Sequence, residues 1–195
     1  MVLAGVVCAA LVAWAADGVQ PVPWSADRPL TWADYLGVPE ADASATVGAR
    51  TRILLNYRYQ YVTEFDAASK RYCSRVYAPA VQVACMIDPL SSWVRPDART
   101  DRLLNHEQRH FDLAQVYARK IQAAISVVLA HGATASAAQG ALTAQVQSTA
   151  AQVNSAWHEV DGEYDQETGG GTNPVAQQQW DQRIDSWLAN PSAAP

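Results

Sequence analysis

The chain has 195 residues, 49% hydrophobic and 17% charged, a balance that belongs to a folded globular protein and excludes a disordered one. Lys plus Arg number 14 against 19 Asp plus Glu, giving a net charge of -5. With no basic patch, the composition argues against a nucleic-acid partner.

The N-terminal run Val2 to Ala16 is uncharged and mostly apolar, and Ala13-Trp14-Ala15 forms a small-x-small cleavage pattern before Asp17. Spanning a bilayer needs about 20 apolar residues. The run is shorter, so we expect an export signal over 1–16 and no stable membrane span once it is removed. That leaves residues 17–195, which suit one domain, in the periplasm or the medium. Removal of the signal would leave two cysteines, Cys73 and Cys85. An even count in an exported chain predicts a disulfide, stapling two neighbouring strands.

Pro21, Pro23 and Pro29 mark an extended lead-in. Leu30 to Tyr35 predicts a short helical turn with Thr31 as its N-cap. After a small, polar stretch over residues 40–50, Ile53, Leu55, Tyr57, Tyr59 and Tyr61 alternate with their neighbours, a period of two that predicts a strand. Tyr72 to Tyr77 and Val81 to Ile87 predict two more, separated by Pro79. Pro96-Asp97 then reads as a helix start. Leu103, His106, His110, Leu113, Tyr117, Ile121, Ile125 and Val128 recur at three- and four-residue steps, so one long amphipathic helix is expected to end near His131-Gly132, with His131 at its C-terminus. A second long helix carries Leu142, Val146, Val153, Trp157 and Val160 in phase. Gly169-Gly170-Gly171 breaks the chain before a last short helix with Trp180, Ile184, Trp187 and Leu188. The predicted class is α+β: a small antiparallel sheet followed by a mainly helical half with two long antiparallel helices.

The strongest chemical signal is His106-Glu107-Gln108-Arg109-His110. Residues four apart lie one turn apart on one helix face, so two neutral imidazoles can bind one Zn2+. Bound zinc lowers the pKa of a coordinated water towards about 7, and Glu107 is placed to take its proton as general base. A catalytic zinc site needs a third protein ligand. Position 116, six residues after His110, is Val, so that ligand must come from elsewhere. The richest acidic stretch is Glu159, Asp161, Glu163, Asp165 and Glu167. If the second helix continues past Gly162, then His158, Asp161 and Asp165 share a face. Asp112 lies two residues from His110 and is expected at the surface. Tyr164 is either an oxyanion donor or a packed aromatic in phase with Trp157, the packed role being favoured.

Several blocks resemble, in order, a group of predicted secreted zinc-dependent proteases described as domain of unknown function 922, of the zincin-like metallopeptidases. They are Leu30-Thr31-Trp32-Ala33-Asp34-Tyr35-Leu36-Gly37, Ser92-Trp93-Val94, Asn105 to Asp112, Tyr117-Ala118-Arg119, Tyr164-Asp165-Gln166-Glu167-Thr168 and Gln179-Trp180. The resemblance implies a zincin-like fold and a zinc-dependent hydrolase, with His106 and His110 as metal ligands and Glu107 as base. It also singles out Tyr164-Asp165, which makes Asp165 the choice for third ligand, with Glu167, Glu163 and His158 as rivals. One departure stands out: Gly170 occupies a place where the family pattern has His. The expected activity is metallopeptidase cleavage of a peptide or protein substrate. The alternative is a catalytically weak or inactive zinc-binding envelope protein acting as a binding or scaffold module, and the departure at Gly170 favours it.

Overall fold

The computed structural model describes residues 3–9, as backbone only, 18–44 and 46–195. The expected cleavage pattern Ala13-Trp14-Ala15 lies outside the described residues. In chain order the elements are β1 (Leu3–Ala9), β2 (Val22–Pro23), β3 (Ala49–Arg50), β4 (Ile53–Asp66), β5 (Arg71–Val76), β6 (Gln82–Ile87), β7 (Trp93–Val94), α1 (Asp101–Ser126), β8 (Leu129–Gly132), α2 (Ala135–Thr168) and α3 (Pro174–Ala189). The main sheet runs β2-β6-β4-β5-β8, with β1 also paired to β4, and β3 and β7 form a second, two-stranded sheet. The pairings are antiparallel, for example Tyr61↔Val76 and Phe65↔Tyr72 between β4 and β5. The protein is thus α+β, with the strand-rich part preceding most of the helix. No helix among the described residues is long and apolar enough to cross a membrane.

The described chain gathers into two compact units. One takes in the described residues of Met1–Leu11 together with Asn56–Val83 and Ala118–Ala156. Its core includes Tyr59, Val76, Ile121, Ile125, Leu142 and Val146, all buried. The other takes in the described residues of Val12–Leu55 together with Ala84–Tyr117 and Trp157–Pro195, and it holds every residue of the site described below.

Three element boundaries differ from the sequence reading. Pro96-Asp97 opens only a short 3-10 turn, Pro96–Ala98, and α1 begins after Thr100, whose hydroxyl caps the backbone N–H of Leu103 at 3.2 Å. At its other end α1 stops at Ser126, and the next residues pair with β5 as β8, with His131 opposite Cys73. His131 is therefore a strand residue and caps no helix. The turn into α2 is tight. A Cβ on Gly132 would stand 2.3 Å from the backbone nitrogen of Ala138, so only glycine fits. Finally, α2 runs unbroken through Gly162 to Thr168.

The expected Cys73–Cys85 disulfide does not form: both thiols are free. Cys73 lies on β5 and Cys85 on β6, and these strands are not paired with one another in the sheet. A disulfide needs Cα atoms within about 7 Å, the spacing of directly paired neighbours. Burial pushes the Cys85 thiol pKa up, aided by the charge of Asp112, so it stays protonated and unreactive.

Candidate metal centre

His106 and His110 lie one turn apart on α1, and their rings meet edge to face with centroids 4.7 Å apart. The two Nε2 atoms are 3.2 Å apart. Asp165 of α2 brings Oδ1 to 3.1 Å from Nε2 of His106 and 3.2 Å from Nε2 of His110. Three potential ligand atoms thus stand at the corners of a nearly equilateral triangle. Ligands ~2.0 Å from a tetrahedral ion lie ~3.3 Å from each other, so the triangle matches one face of such a site. These three residues could hold a metal ion. The donor set, two imidazoles and a carboxylate, is one that suits zinc.

The other nitrogen of each ring is also fixed. His110 donates from Nδ1 to Oδ1 of Asp161 at 2.7 Å. His106 faces Oε1 of Gln177 with Nδ1 at 3.2 Å. The Gln177 amide donates to the Tyr164 hydroxyl at 2.9 Å and to Asp181 at 2.8 Å, which leaves its carbonyl oxygen to accept from His106. Each ring thus has Nδ1 turned to a fixed acceptor, which leaves Nε2 as the atom that it can present to a metal. Tyr164 stacks on His106 with ring centroids 4.8 Å apart and donates its hydroxyl to the His106 carbonyl at 3.0 Å. It is fully buried, a packed aromatic whose hydroxyl is spent on α1.

The helix geometry explains why Asp165 is the acidic residue that arrives. Asp161 and Asp165 are four apart on α2 and share a face: one meets the outer nitrogen of His110, the other both inner nitrogens. Of the rivals, Glu167 accepts from the Trp180 indole at 2.7 Å. His158 stacks on Trp157, and Glu163 is exposed and absent from the cluster.

Charge follows this geometry. Burial alone would lower the His110 pKa, but the carboxylates of Asp161 and Asp165 overturn that and hold it well above the usual histidine range. Burial would likewise raise Asp165, yet hydrogen bonds from both histidines keep its carboxyl well below the usual carboxylate range. The carboxylates facing His110 thus favour positive charge on this face of the triangle, whether carried by a proton or by a metal ion.

Glu107 is 5% exposed and sits beside the pair. Its Oε2 accepts from the Thr51 hydroxyl at 2.5 Å, and Thr51 in turn is 2.7 Å from the Tyr35 hydroxyl. On the back of α1, Asp112 is buried, contrary to the surface position expected for it. It accepts from Trp24 and Gln108, each at 2.8 Å, and pairs with Arg109 at 3.1 Å. Arg109 pairs also with Asp185 and Asp181 of α3, and this ionic network ties the back face of the helix in place.

The loop after α2 closes the centre from below. Gly169, Gly170 and Gly171 all adopt left-handed backbone, with φ of 60, 62 and 75°. A Cβ on Gly171 would stand 2.9 Å from Cβ of His106, so this glycine lets the loop lie against a ligand. Gly170 is open, with no atom within 4 Å of where its Cβ would be. The triangle is complete without a residue from that position.

Gln177 and Thr51 carry no sequence signal of their own, and Tyr35 stands out only as part of the block Leu30 to Gly37. Gln177 is one of three consecutive glutamines, and Thr51 lies in a connection between strands. Neither a curated protein nor a solved structure matches the chain. Residues 37–171 match the family described as bacterial protein of unknown function (DUF922). The match takes in Thr51, His106, Glu107, His110, Asp161 and Asp165, and covers more than half of the chain. The chain belongs to that family of bacterial proteins of unknown function.

Proposed function

We propose that this protein is an exported zinc-dependent hydrolase of zincin-like type that cleaves peptide bonds, with His106, His110 and Asp165 as zinc ligands and Glu107 as general base. The observation that carries the reading is the triangle of three ligand atoms 3.1–3.2 Å apart with a buried carboxylate beside it. A buried acid with no structural ion-pair partner is costly unless it has work to do. Zinc, when bound, would polarise a substrate carbonyl and acidify water.

The chain's own residues would do the rest. Gln177 and Asp161 hold the two imidazoles in the ligating tautomer. Asp165, 57% exposed at its side chain, leaves the centre open to solvent on one side, where a peptide can enter. Glu107 takes a proton from the attacking water and returns it to the departing amine nitrogen. The second reading is a zinc-binding envelope module without hydrolysis. Gly170 favours it, since that loop position offers no side chain to a substrate.

The deciding experiment is the zinc content of the purified mature chain beside His110→Ala and Glu107→Ala, each assayed on a broad peptide mixture. We expect one zinc per chain in wild type, none in His110→Ala, and zinc without cleavage in Glu107→Ala. Wild type that binds zinc but cleaves nothing in a Glu107-dependent way would favour the binding module. A chain that takes up no zinc even after metal addition would refute both.

A further inference from the structure

We infer that Thr51 and Tyr35 are positioning residues for Glu107, forming a hydrogen-bond relay that decides which carboxylate oxygen handles the proton. This rests on the hydrolase reading above.

The Thr51 hydroxyl donates its single proton to Oε2 of Glu107. The contact between Tyr35 and Thr51 then has one possible direction: the phenol donates to Thr51 Oγ1. The polarity of the relay is fixed, Tyr35 to Thr51 to Glu107. Among the described residues, Oε1 of Glu107 has no hydrogen-bond partner. One oxygen is tied and the other is open.

Both arms are held by the same short segment, residues 88–92. Next to Thr51, the Arg52 N–H donates to Ser92 Oγ at 2.9 Å, and the Asp88 N–H donates to the Arg52 carbonyl at 2.9 Å. Beyond Tyr35, the Leu36 N–H donates to the Pro89 carbonyl at 2.9 Å and the Gly37 N–H to the Ser92 carbonyl at 2.8 Å. Gly37 must be glycine for this, since a Cβ would stand 2.7 Å from the Leu90 carbonyl oxygen. Ser92 is itself fully buried and donates to the Asp88 carbonyl. Two loops 16 residues apart are thereby fastened to one anchor, which lets the Tyr35 hydroxyl meet that of Thr51 and Thr51 meet the carboxylate. Tyr35 is 4% exposed, and burial together with the charge of Glu107 raises its phenol pKa, so it keeps the proton that it donates.

The consequence is directional. When a water O–H breaks, the new O–H bond forms on Oε1, the oxygen with no partner, because the hydrogen bond from Thr51 makes Oε2 the less basic of the two and fixes the carboxylate's orientation. When the amine leaves, that same proton passes from Oε1 to nitrogen. The protons of Thr51 and Tyr35 stay where they are. Without the tie, the carboxylate is free to rotate and share the proton between oxygens, one of which faces the wrong way.

The test uses zinc-loaded mature protein as wild type, Thr51→Val, Thr51→Ser, Tyr35→Phe and Glu107→Ala. Zinc content and melting temperature are measured for each, with kcat and KM on a cleaved peptide and affinity for acetohydroxamate by calorimetry. Acetohydroxamate chelates a metal as its anion and needs a neighbouring carboxylate to accept its proton, so it reports on Glu107 without turnover. We expect Thr51→Val to keep zinc, lose about tenfold to a hundredfold in kcat with KM little changed, and bind acetohydroxamate about tenfold more weakly. Thr51→Ser should restore both, and Tyr35→Phe should fall between. A Thr51→Val protein that matches wild type in kcat and in acetohydroxamate affinity, while Glu107→Ala is inactive, overturns the relay and leaves the hydrolase reading intact. A zinc-loaded wild type with no Glu107-dependent cleavage overturns the hydrolase reading, and the catalytic role of the relay with it.

Discussion

The two compact units treat buried polarity in opposite ways. Among the described residues, the unit containing β5 and β8 buries two polar side chains, Thr63 and Ser74, and they satisfy each other at 2.7 Å. The other unit buries Asp34, Ser92, His106, Glu107, Asp112, Thr168 and Gln177. The first arrangement is what a packed sheet needs, two neutral hydroxyls that bond to one another. The second contains an imidazole and a carboxylate with lone pairs that the protein leaves open. Desolvated ionisable groups are expensive, and this fold concentrates them in the unit that holds the candidate metal centre. The predictions below run from the unit that holds the candidate metal centre to the other, in order of expected effect on zinc binding.

The largest effect is expected at Gly171. Alanine there must adopt a φ of 75° and place its Cβ 2.9 Å from that of His106. Left-handed strain in a non-glycine residue costs about 1–3 kcal/mol. The relief available is to push His106 off the triangle, so zinc affinity should fall as well. We expect Gly171→Ala to melt lower than wild type and to bind zinc at least tenfold more weakly, measured by competition with a chromophoric chelator. Gly170→Ala shares the strain but meets no atom, so it should lower the melting temperature with little change in zinc affinity. Equal zinc affinities for the two variants would remove the steric argument for Gly171.

A smaller, pH-dependent effect is expected at Asp161. In the metal-free protein the His110 pKa is raised, so the folded state binds this proton more tightly than the unfolded chain does. Its stabilisation is full below the unfolded histidine pKa of about 6.5 and is lost as pH rises through the folded value. The same proton competes with a cation, so zinc affinity should rise with pH across that interval and then level off. Asp161→Asn removes the main partner, which lowers the His110 pKa and moves the levelling point to lower pH. Its plateau affinity should be about tenfold weaker, because the ring loses a carboxylate behind it. Zinc affinity titrated over pH in both proteins checks this. Identical profiles would mean that Asp161 does not govern the proton on His110.

How far the sequence could see follows the same division. The alternation from Ile53 to Tyr61 and the spacing of His106 and His110 are local patterns, and each became the element it predicted. Asp165 was legible only on condition that α2 pass through Gly162. A glycine costs about 1 kcal/mol within a helix, and here the surrounding packing overrides it. β8 was hidden because Ile125 and Val128 continue the helical stripe, while the strand exists through its partner β5. The disulfide was inferred from parity of cysteines, which carries no information about which strands pair. Gln177, Thr51 and Tyr35 are chosen by tertiary contact alone: nothing in their neighbours in sequence says which hydroxyl or amide will meet α1.

The smallest effect on zinc binding is expected at the hydroxyl pair in the other unit, and it tests the contrast between units most directly. Thr63→Val removes one partner and leaves the Ser74 hydroxyl buried on β5, with no accessible surface. An orphaned buried hydroxyl costs about 1–3 kcal/mol. Gln139 also loses the acceptor it reaches at 3.3 Å, so the single variant should sit within that range. Adding Ser74→Ala removes the orphan and should recover most of the loss, since deleting both partners of a neutral hydrogen bond is close to neutral. Denaturant unfolding of the two single variants and the double variant measures this coupling. Zinc affinity should be unchanged in all three, because these hydroxyls serve packing and nothing else. A Thr63→Val protein with weakened zinc binding would show that the polarity of this unit also serves the metal centre, and the division drawn between the units would fail.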